Sequence, residues 1–305
     1  MKDYLIRRSL HTIVALVLLI IVVFLFTHSI GDPASIMLPD WASEEMVQAL
    51  RDRMGLNDPL YVQFGRYVAG LLRLDLGTSL WQGVPNLGLI MSRLPATFIL
   101  ALTAISLATF GGILLGILAA IRPSSALDRF ISMLSTVAVT SVDFWVALML
   151  ILWISVELGW LPTSGYGELK HIILPALVVA FRPMGRIAQV TRPAVIDELA
   201  KQYIVAARAR GLSEKKVLFN HAARNAGIVL LTLTGYEFAG LVNGSVIIET
   251  VFGWPGVGFL LVQAIRLRDW PLIVGTTIVV ASMVIVLNLA IDLLYGWLDP
   301  RIRYE

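Results

Sequence analysis

The chain has 305 residues, 57% of them apolar and 15% charged, with a mean hydropathy of +0.80. That composition excludes a soluble globular domain and indicates an integral membrane protein, so the formal charge of +3 and pI near 9.3 reflect membrane topology rather than nucleic-acid binding. The lack of cysteine excludes disulfides and thiolate metal sites, and His11, His28, His171 and His221 are scattered without ligand spacing.

A hydrocarbon core about 30 Å thick needs roughly 20 apolar residues per helix. Six stretches near that length occur, at 10–30, 96–121, 130–158, 172–190, 226–249 and 272–297, and they predict an all-α fold with six transmembrane helices. The first follows Arg7 and Arg8; its apolar run is long and no small-x-small cleavage site follows, so it reads as a retained signal anchor.

Residues 31–95 are too polar to span. Ser43 followed by Glu44 and Glu45 resembles a helix start, Met46, Leu50 and Met54 form one apolar face, and Gly55 is a stop signal. A second amphipathic run carries Tyr61, Phe64, Tyr67, Val68 and Leu71. Together they predict an extracytoplasmic insertion between helices 1 and 2, with short helices on the membrane surface or over the bundle mouth, either a cap or a docking surface.

In the second stretch, Gly112 and Gly116 have the spacing that lets helices approach closely, within the chain or between subunits. The third holds Asp143. The fourth is interrupted by Arg182, Pro183 and Arg186, and Arg182, Arg186 and Gln189 fall on one helical face; the fifth holds Glu237. Ionisable side chains inside spans are costly, so these residues either line a polar path or pair with one another. Asn243-Gly244-Ser245 matches a glycosylation sequon inside a predicted span and reads as chance. Trp254-Pro255-Gly256 and Pro33 read as turns at span ends.

Between the fourth and fifth stretches, the segment 199–226 carries Lys201, Arg208, Arg210, Lys215, Lys216 and Arg224. Its pattern describes two short helices joined by a turn at Gly211, with small alanines that permit a close fit in a groove and cations that suit acidic rims on a soluble partner. Lysine and arginine at the amino terminus, in the second-to-third connection, in this segment and in the tail alternate sides consistently, which places both termini in the cytoplasm.

The same segment resembles the coupling loop of binding-protein-dependent ABC importer permeases, whose pattern is Glu-Ala-Ala, three residues, Gly, nine residues, then Ile-x-Leu-Pro. Ala206, Ala207 and Gly211 match it; Val205 stands at the Glu position, and His221, Ala223 and Arg224 replace Ile, Leu and Pro. Those departures are typical of the dipeptide/oligopeptide/nickel branch, to whose sequences 207–213 and 221–226 are similar. Other stretches resemble that branch in order: Gly31-Asp32-Pro33, Asp75-Leu76-Gly77-Thr78-Ser79-Leu80, Arg93-Leu94-Pro95-Ala96-Thr97, the run from Ile248 to Gly258, Arg268-Asp269-Trp270-Pro271, and Asp299-Pro300-Arg301. At Ser141-Val142-Asp143-Phe144 the chain departs from the branch, which more often has Ser-x-Pro-x-Phe.

The resemblance implies a multi-pass inner-membrane permease subunit that forms half of a translocation pathway, alongside a homologous second permease, two cytoplasmic ATPase subunits and an extracytoplasmic substrate-binding protein. ATP and Mg would be used by the ATPases; no GxxxxGK[ST] phosphate loop occurs here, and this chain is expected to bind no cofactor or metal and to be no enzyme. Coupling to the ATPase is implied for Tyr203, Ala206, Ala207, Arg208, Arg210, Gly211, Leu212 and Ser213. Asp143, Arg182, Arg186 and Glu237 are candidates for the translocation pathway; the alternatives are that Asp143 pairs structurally, that Arg186 snorkels to the cytoplasm and that Glu237 faces the second permease. The expected organisation is an N-terminal tail and first helix at 1–30, an extracytoplasmic region at 31–95 and a transmembrane core at 96–305. Peptides are the first-choice cargo, with nickel complexes, glutathione-like compounds and sugars as other possibilities. A passive channel or facilitator without ATP coupling is the alternative class.

Overall fold

The regular elements are helices, and local sequence explains where most of them begin and end. A computed structural model describes residues 2–29, 34–35, 38, 41–218 and 223–298. The motifs at 31–33 and 299–301 and the His221 position lie outside the described residues. Helix α1 is Lys2–Ser29, α2 Glu44–Met54, α3 Leu60–Leu72, α4 Asn86–Ile121, α5 Ala126–Thr140 and α6 Asp143–Leu150, continued by a π-helical stretch Ile151–Glu157. They are followed by α7 Leu169–Leu199, α8 Gln202–Ala209, α9 Ala223–Gly244, α10 Val246–Val251, α11 Val257–Arg266 and α12 Trp270–Leu298.

Among the described residues, four segments are long and apolar enough to cross a membrane: Arg7–Thr27, Asn86–Ile121, Leu169–Leu199 and Trp270–Leu293. A fifth is reached if α5 and the α6 stretch count as one bent span. The sequence expected a continuous helix over 130–158; the structure instead breaks it by 110° between Ala126–Thr140 and Asp143–Glu157. The cause is local. The hydroxyls of Thr140 and Ser141 bond back to the carbonyls of Thr136 and Val137 at 2.9 and 2.6 Å, Ser141 and Val142 turn extended, and Asp143 opens the next helix in the first turn, where a carboxylate is favourable. Asp143 therefore stands at a break rather than in mid-span. The expected span at 226–249 is occupied by α9 and α10.

The chain divides into two compact units, Met1–Thr97 with Pro255–Leu293 and Phe98–Trp254 with Leu294–Glu305. In the first, the insertion helices form as the sequence predicts: Ser43 Oγ accepts from Met46 N at 3.3 Å, and Gly55 closes α2 at φ +66°. Phe64 and Tyr67 of α3 pack on Phe24 of α1, with ring centroids 5.1 and 5.6 Å apart. Arg8 pairs with Asp292, joining α1 to α12. Ile90, Val257, Leu260, Ala264 and Leu272 form a buried cluster.

Several motif residues meet in this unit. Asp269, 1% exposed, caps α12 by accepting from Leu272 N at 3.3 Å, and it also accepts from Ser79 Oγ at 2.5 Å and Trp81 N at 3.4 Å. Ser79 belongs to a loop closed by Gly77 at φ +77° and by Asn86, whose side-chain amide donates to Leu76 O at 2.9 Å. Thr97 Oγ1 accepts from Val257 N at 2.9 Å, giving the first turn of α11 a partner.

In the second unit α7 is central, packed against α5, α9, α6 and α10. Glycines bring its neighbours close. A Cβ on Gly112 would lie 2.7 Å from Met184 O and 2.8 Å from Ile187 Cβ, and one on Gly116 would lie 2.9 Å from Ala188 O. The spacing of Gly112 and Gly116 thus serves α4–α7 packing within the chain. On the facing side of α7, a Cβ on Gly185 would lie 2.7 Å from Ser135 O of α5.

Candidate coupling segment and the charged face of α7

Helix α8 follows Lys201, which is extended at φ −74° and ψ 149°. Its inner side is narrow: Ile204 and Ala207, three residues apart, are buried with Val217, and Leu199 and Leu212 pack onto them. The helix ends in a Schellman closure, with Gly211 N donating to Arg208 O at 2.9 Å and Leu212 N to Ala207 O at 3.3 Å. Gly211 sits at φ +77°, and a Cβ there would have nothing within 4 Å, so glycine is set by backbone conformation and not by crowding inside the chain. Leu212 completes the motif by packing on the buried cluster.

Ser213 then turns extended before the single turn Glu214–Lys216, and Val217 N donates to Ser213 O at 3.0 Å. The second of the two expected short helices is this one turn within the described residues.

Polar contacts hold both ends of the segment. Arg208 donates through Nε and Nη2 to the two carboxylate oxygens of Glu214 at 2.9 and 3.1 Å, a fork that clamps α8 to the returning turn. The guanidinium keeps the Glu214 carboxyl below its ordinary value. At the other end, Glu198 accepts from Lys201 and from the Tyr203 hydroxyl, the latter at 2.5 Å, and Asn225 Nδ2 donates to Tyr203 Oη at 2.9 Å. Burial, then the bond to Glu198, raise the Tyr203 phenol, while the bond to Glu198 raises Lys201. The end of α7, the start of α8 and the start of α9 are thereby tied through one phenol.

These contacts separate the eight coupling candidates. Ala207 faces inward at 8% exposure, Leu212 is half-buried, and Arg208 is engaged by Glu214. Ala206, Arg210, Gly211 and Ser213 are exposed, as is Val205 at 61%, and Tyr203 is exposed at its ring while its hydroxyl is bonded. Of the adjacent alanines, one is thus exposed and the other buried. Val205 and Ala209, within the same segment but not among these eight, extend the outward face beside Ala206 and Arg210.

Helix α7 carries four polar side chains on its charged face. Arg182 Nε lies 3.5 Å from Asp143 Oδ1, and Arg182 Nη2 lies 3.4 Å from Ser141 O. Arg186 Nη1 donates to Glu237 Oε1 at 2.8 Å, bringing α7 and α9 together. Gln189 Nε2 reaches Thr136 Oγ1 at 3.4 Å. One further step along, Arg192 grips the nearly buried Asp128 through Nε and Nη2 at 2.6 and 2.8 Å. Arg182, Arg186, Asp143 and Glu237 therefore form two separate ion pairs on this face. Asp128 and Arg192 were missed, although Arg192 continues the Arg182, Arg186, Gln189 spacing and Asp128 follows Ser125 by three residues as a helix-start signal. Among the described residues, no cluster of three histidine, aspartate or glutamate side chains is arranged to hold a metal.

The chain matches two family models, "Binding-prot-dependent transport system membrane comp, N-term" over residues 1–101 and "Binding-protein-dependent transport system inner membrane component" over 112–304. It is 38% identical to the oligopeptide transport system permease protein AppB of Bacillus subtilis (strain 168), across 100% of both chains. It is 37% identical to a putative peptide transport system permease protein of Brucella abortus (strain 2308), and 36% to the glutathione transport system permease protein GsiC of Escherichia coli O6:H1, again over 100% of each chain. A solved structure of the MetNI methionine ABC transporter in inward-facing conformations has a similar fold, with a TM-score of 0.58 at 16% identity, covering 69% of this chain and 96% of that one. An amino acid ABC transporter crystallised with histidines gives 0.53 at 17%, covering 70% and 94%. With matches that span nearly its whole length, the chain belongs to the family of binding-protein-dependent transport system inner membrane components, the permease subunits of ABC importers.

Proposed function

We propose that this chain forms half of the translocation pathway of an importer for peptides or related small solutes, coupled to ATP hydrolysis through 202–217. The observation that carries the reading is the division of α8 into two faces. Ile204 and Ala207 anchor it to the chain, while Val205, Ala206, Ala209 and Arg210 offer a low, apolar outward face with one cation at its end. Such a surface suits a cleft on a soluble protein that supplies an acidic rim.

In this reading a homologous second permease completes the pathway, two cytoplasmic ATPase subunits bind ATP and Mg, and an extracytoplasmic binding protein delivers cargo. Six spans are then α1, α4, the bent α5–α6 unit, α7, α9 with α10, and α12, with both termini in the cytoplasm and 31–95 on the opposite side. The names of the full-length relatives support a peptide-type cargo. The charged face of α7 with Asp143, Arg182, Arg186 and Glu237 lines the path.

The test is reconstitution of the complete transporter in proteoliposomes with peptide-loaded binding protein. Accumulation of trialanine against its gradient that requires ATP and both ATPases supports the reading. Equilibration at the same rate without nucleotide would favour the passive facilitator.

A further inference from the structure

We propose that Arg182 and Asp143 form an exchangeable ion pair that receives the two ends of a zwitterionic cargo, Arg182 the carboxylate and Asp143 the ammonium. The proposal rests on the peptide-permease reading and says which of the charges on α7 meets the cargo.

The three arginines of the face differ in how far they are satisfied. Arg192 holds both oxygens of Asp128 in a bidentate fork, and that carboxylate, 4% exposed, also accepts from Ser124 N at 2.7 Å. Arg186 donates at 2.8 Å to Glu237, whose side chain is 8% exposed. Both are fixed pairs between helices. Arg182 is different: its nearest carboxylate oxygen is 3.5 Å from Nε, its one hydrogen bond is a long 3.4 Å contact to Ser141 O, and Nε has no hydrogen-bond partner among the described residues. A guanidinium carries five N–H donors in a planar fork shaped for a carboxylate, so Arg182 has unused capacity of the type a carboxylate fills.

Position adds to chemistry. The pair sits at the break between α5 and α6, where Ser141 and Val142 leave the helical conformation inside an otherwise apolar stretch. Irregular backbone at membrane depth is tolerated where it is buried in protein or lines a polar cavity, and helix breaks recur at the solute sites of membrane transporters. Asp143 is open at 40% exposed, unlike the carboxylates that hold the other two arginines, at 8% and 4%, while Arg182 is about as exposed as Arg186. Further along α5 and α7, Ser132, Ser135, Thr136, Gln189 and Arg192 line a separate cavity of about 200 Å³ together with Ala119, Ile131 and Ala188.

Charge balance selects the cargo class. A zwitterion entering between Arg182 and Asp143 replaces one long ion pair with two, and no charge is left without a counter-ion. An anion or cation would strand one member of the pair. Displacement is easy because the resting contact is poorly aligned and partly solvated.

The experiment uses the complete transporter in proteoliposomes, saturating binding protein and trialanine as probe. Arg182→Gln and Asp143→Asn each lower ATP-driven uptake ten-fold or more. The double variant Arg182→Gln/Asp143→Asn removes both charges, so it recovers the wild-type melting temperature while uptake stays at least ten-fold down. Arg182→Lys, which keeps charge and fold but loses the fork, lowers the rate several-fold without a thermal shift. Recovery of wild-type uptake by the double variant, normal uptake by the single variants, or an unaffected Arg182→Lys overturns the proposal while leaving the peptide reading intact. If the unsubstituted transporter shows no ATP-driven trialanine uptake, the peptide reading fails and the assignment of this pair fails with it.

Discussion

Substitution of Gly211 separates a conformational requirement from a docking one. The residue closes α8 at φ +77°, a conformation that costs an L-residue about 1–2 kcal/mol, and nothing in the chain lies within 4 Å of a Cβ built there. Alanine and tryptophan should therefore destabilise the isolated permease by the same amount, about 1–2 kcal/mol, because neither side chain meets its own chain. Only tryptophan fills the space in front of the turn. In reconstituted complexes, Gly211→Ala should keep most ATP-driven uptake, whereas Gly211→Trp should lose at least ten-fold while the partner subunits continue to hydrolyse ATP. Thermal unfolding of the two variants, run beside the uptake assay, supplies the control. Wild-type transport by Gly211→Trp, or equal losses in both variants, would refute docking at this turn.

Ala206→Trp, on the exposed side of α8, should uncouple transport with no loss of stability; Ala207→Trp should overpack the Ile204–Val217 cluster and cost about 1–3 kcal/mol in thermal unfolding. Gly116→Ala should lower the melting temperature, since its methyl would press on Ala188 O and Thr191 of α7, and an unchanged melting temperature would show that α4 and α7 can separate at little cost. Asp269→Ala should destabilise by about 2–4 kcal/mol, by losing the cap of α12 and stranding the Ser79 hydroxyl, and the variant's melting curve measures it. Because Arg208 depresses Glu214, that pair's stabilisation is complete above the ordinary carboxylate pKa and is lost as pH falls through the lowered folded value. Stability of the segment, followed by hydrogen exchange, should thus be flat between about pH 6 and pH 8 and fall only in stronger acid, and Arg208→Gln should reduce that fall to the part carried by Glu198, whose carboxyl Lys201 and Tyr203 also hold low.

Features set by neighbours along the chain are legible in the amino-acid sequence. Ser43 and Gly55 bound α2, Gly211 takes the left-handed conformation, and the helices of the insertion form where amphipathic spacing places them. Each depends on backbone preference or helical period within a few residues. The break at Ser141 is hidden because its residues are apolar enough to extend a span; hydropathy does not register that Ser141 and Val142 turn extended there. That Ala207 is buried and Ala206 exposed is also hidden, since it depends on which face meets Val217 across the turn. Pairs such as Asp128 with Arg192, 64 residues apart, and Ser79 with Asp269, 190 apart, follow from how helices pack; local pattern marks single positions such as Asp128 and Arg192 but not which of them meet. The resemblance to a peptide-type permease singles out the segment proposed for coupling; the two-faced geometry of α8 sorts its residues into buried anchors and exposed positions.

The chain contains no cysteine, so a single Ala206→Cys provides the one maleimide-reactive site in the permease band. Its maleimide labelling rate should be high in the permease alone and fall at least ten-fold when the ATPase subunits are assembled, with Ala207→Cys protected in both states. Equal labelling of Ala206→Cys with and without the ATPases would contradict docking on the outward face of α8.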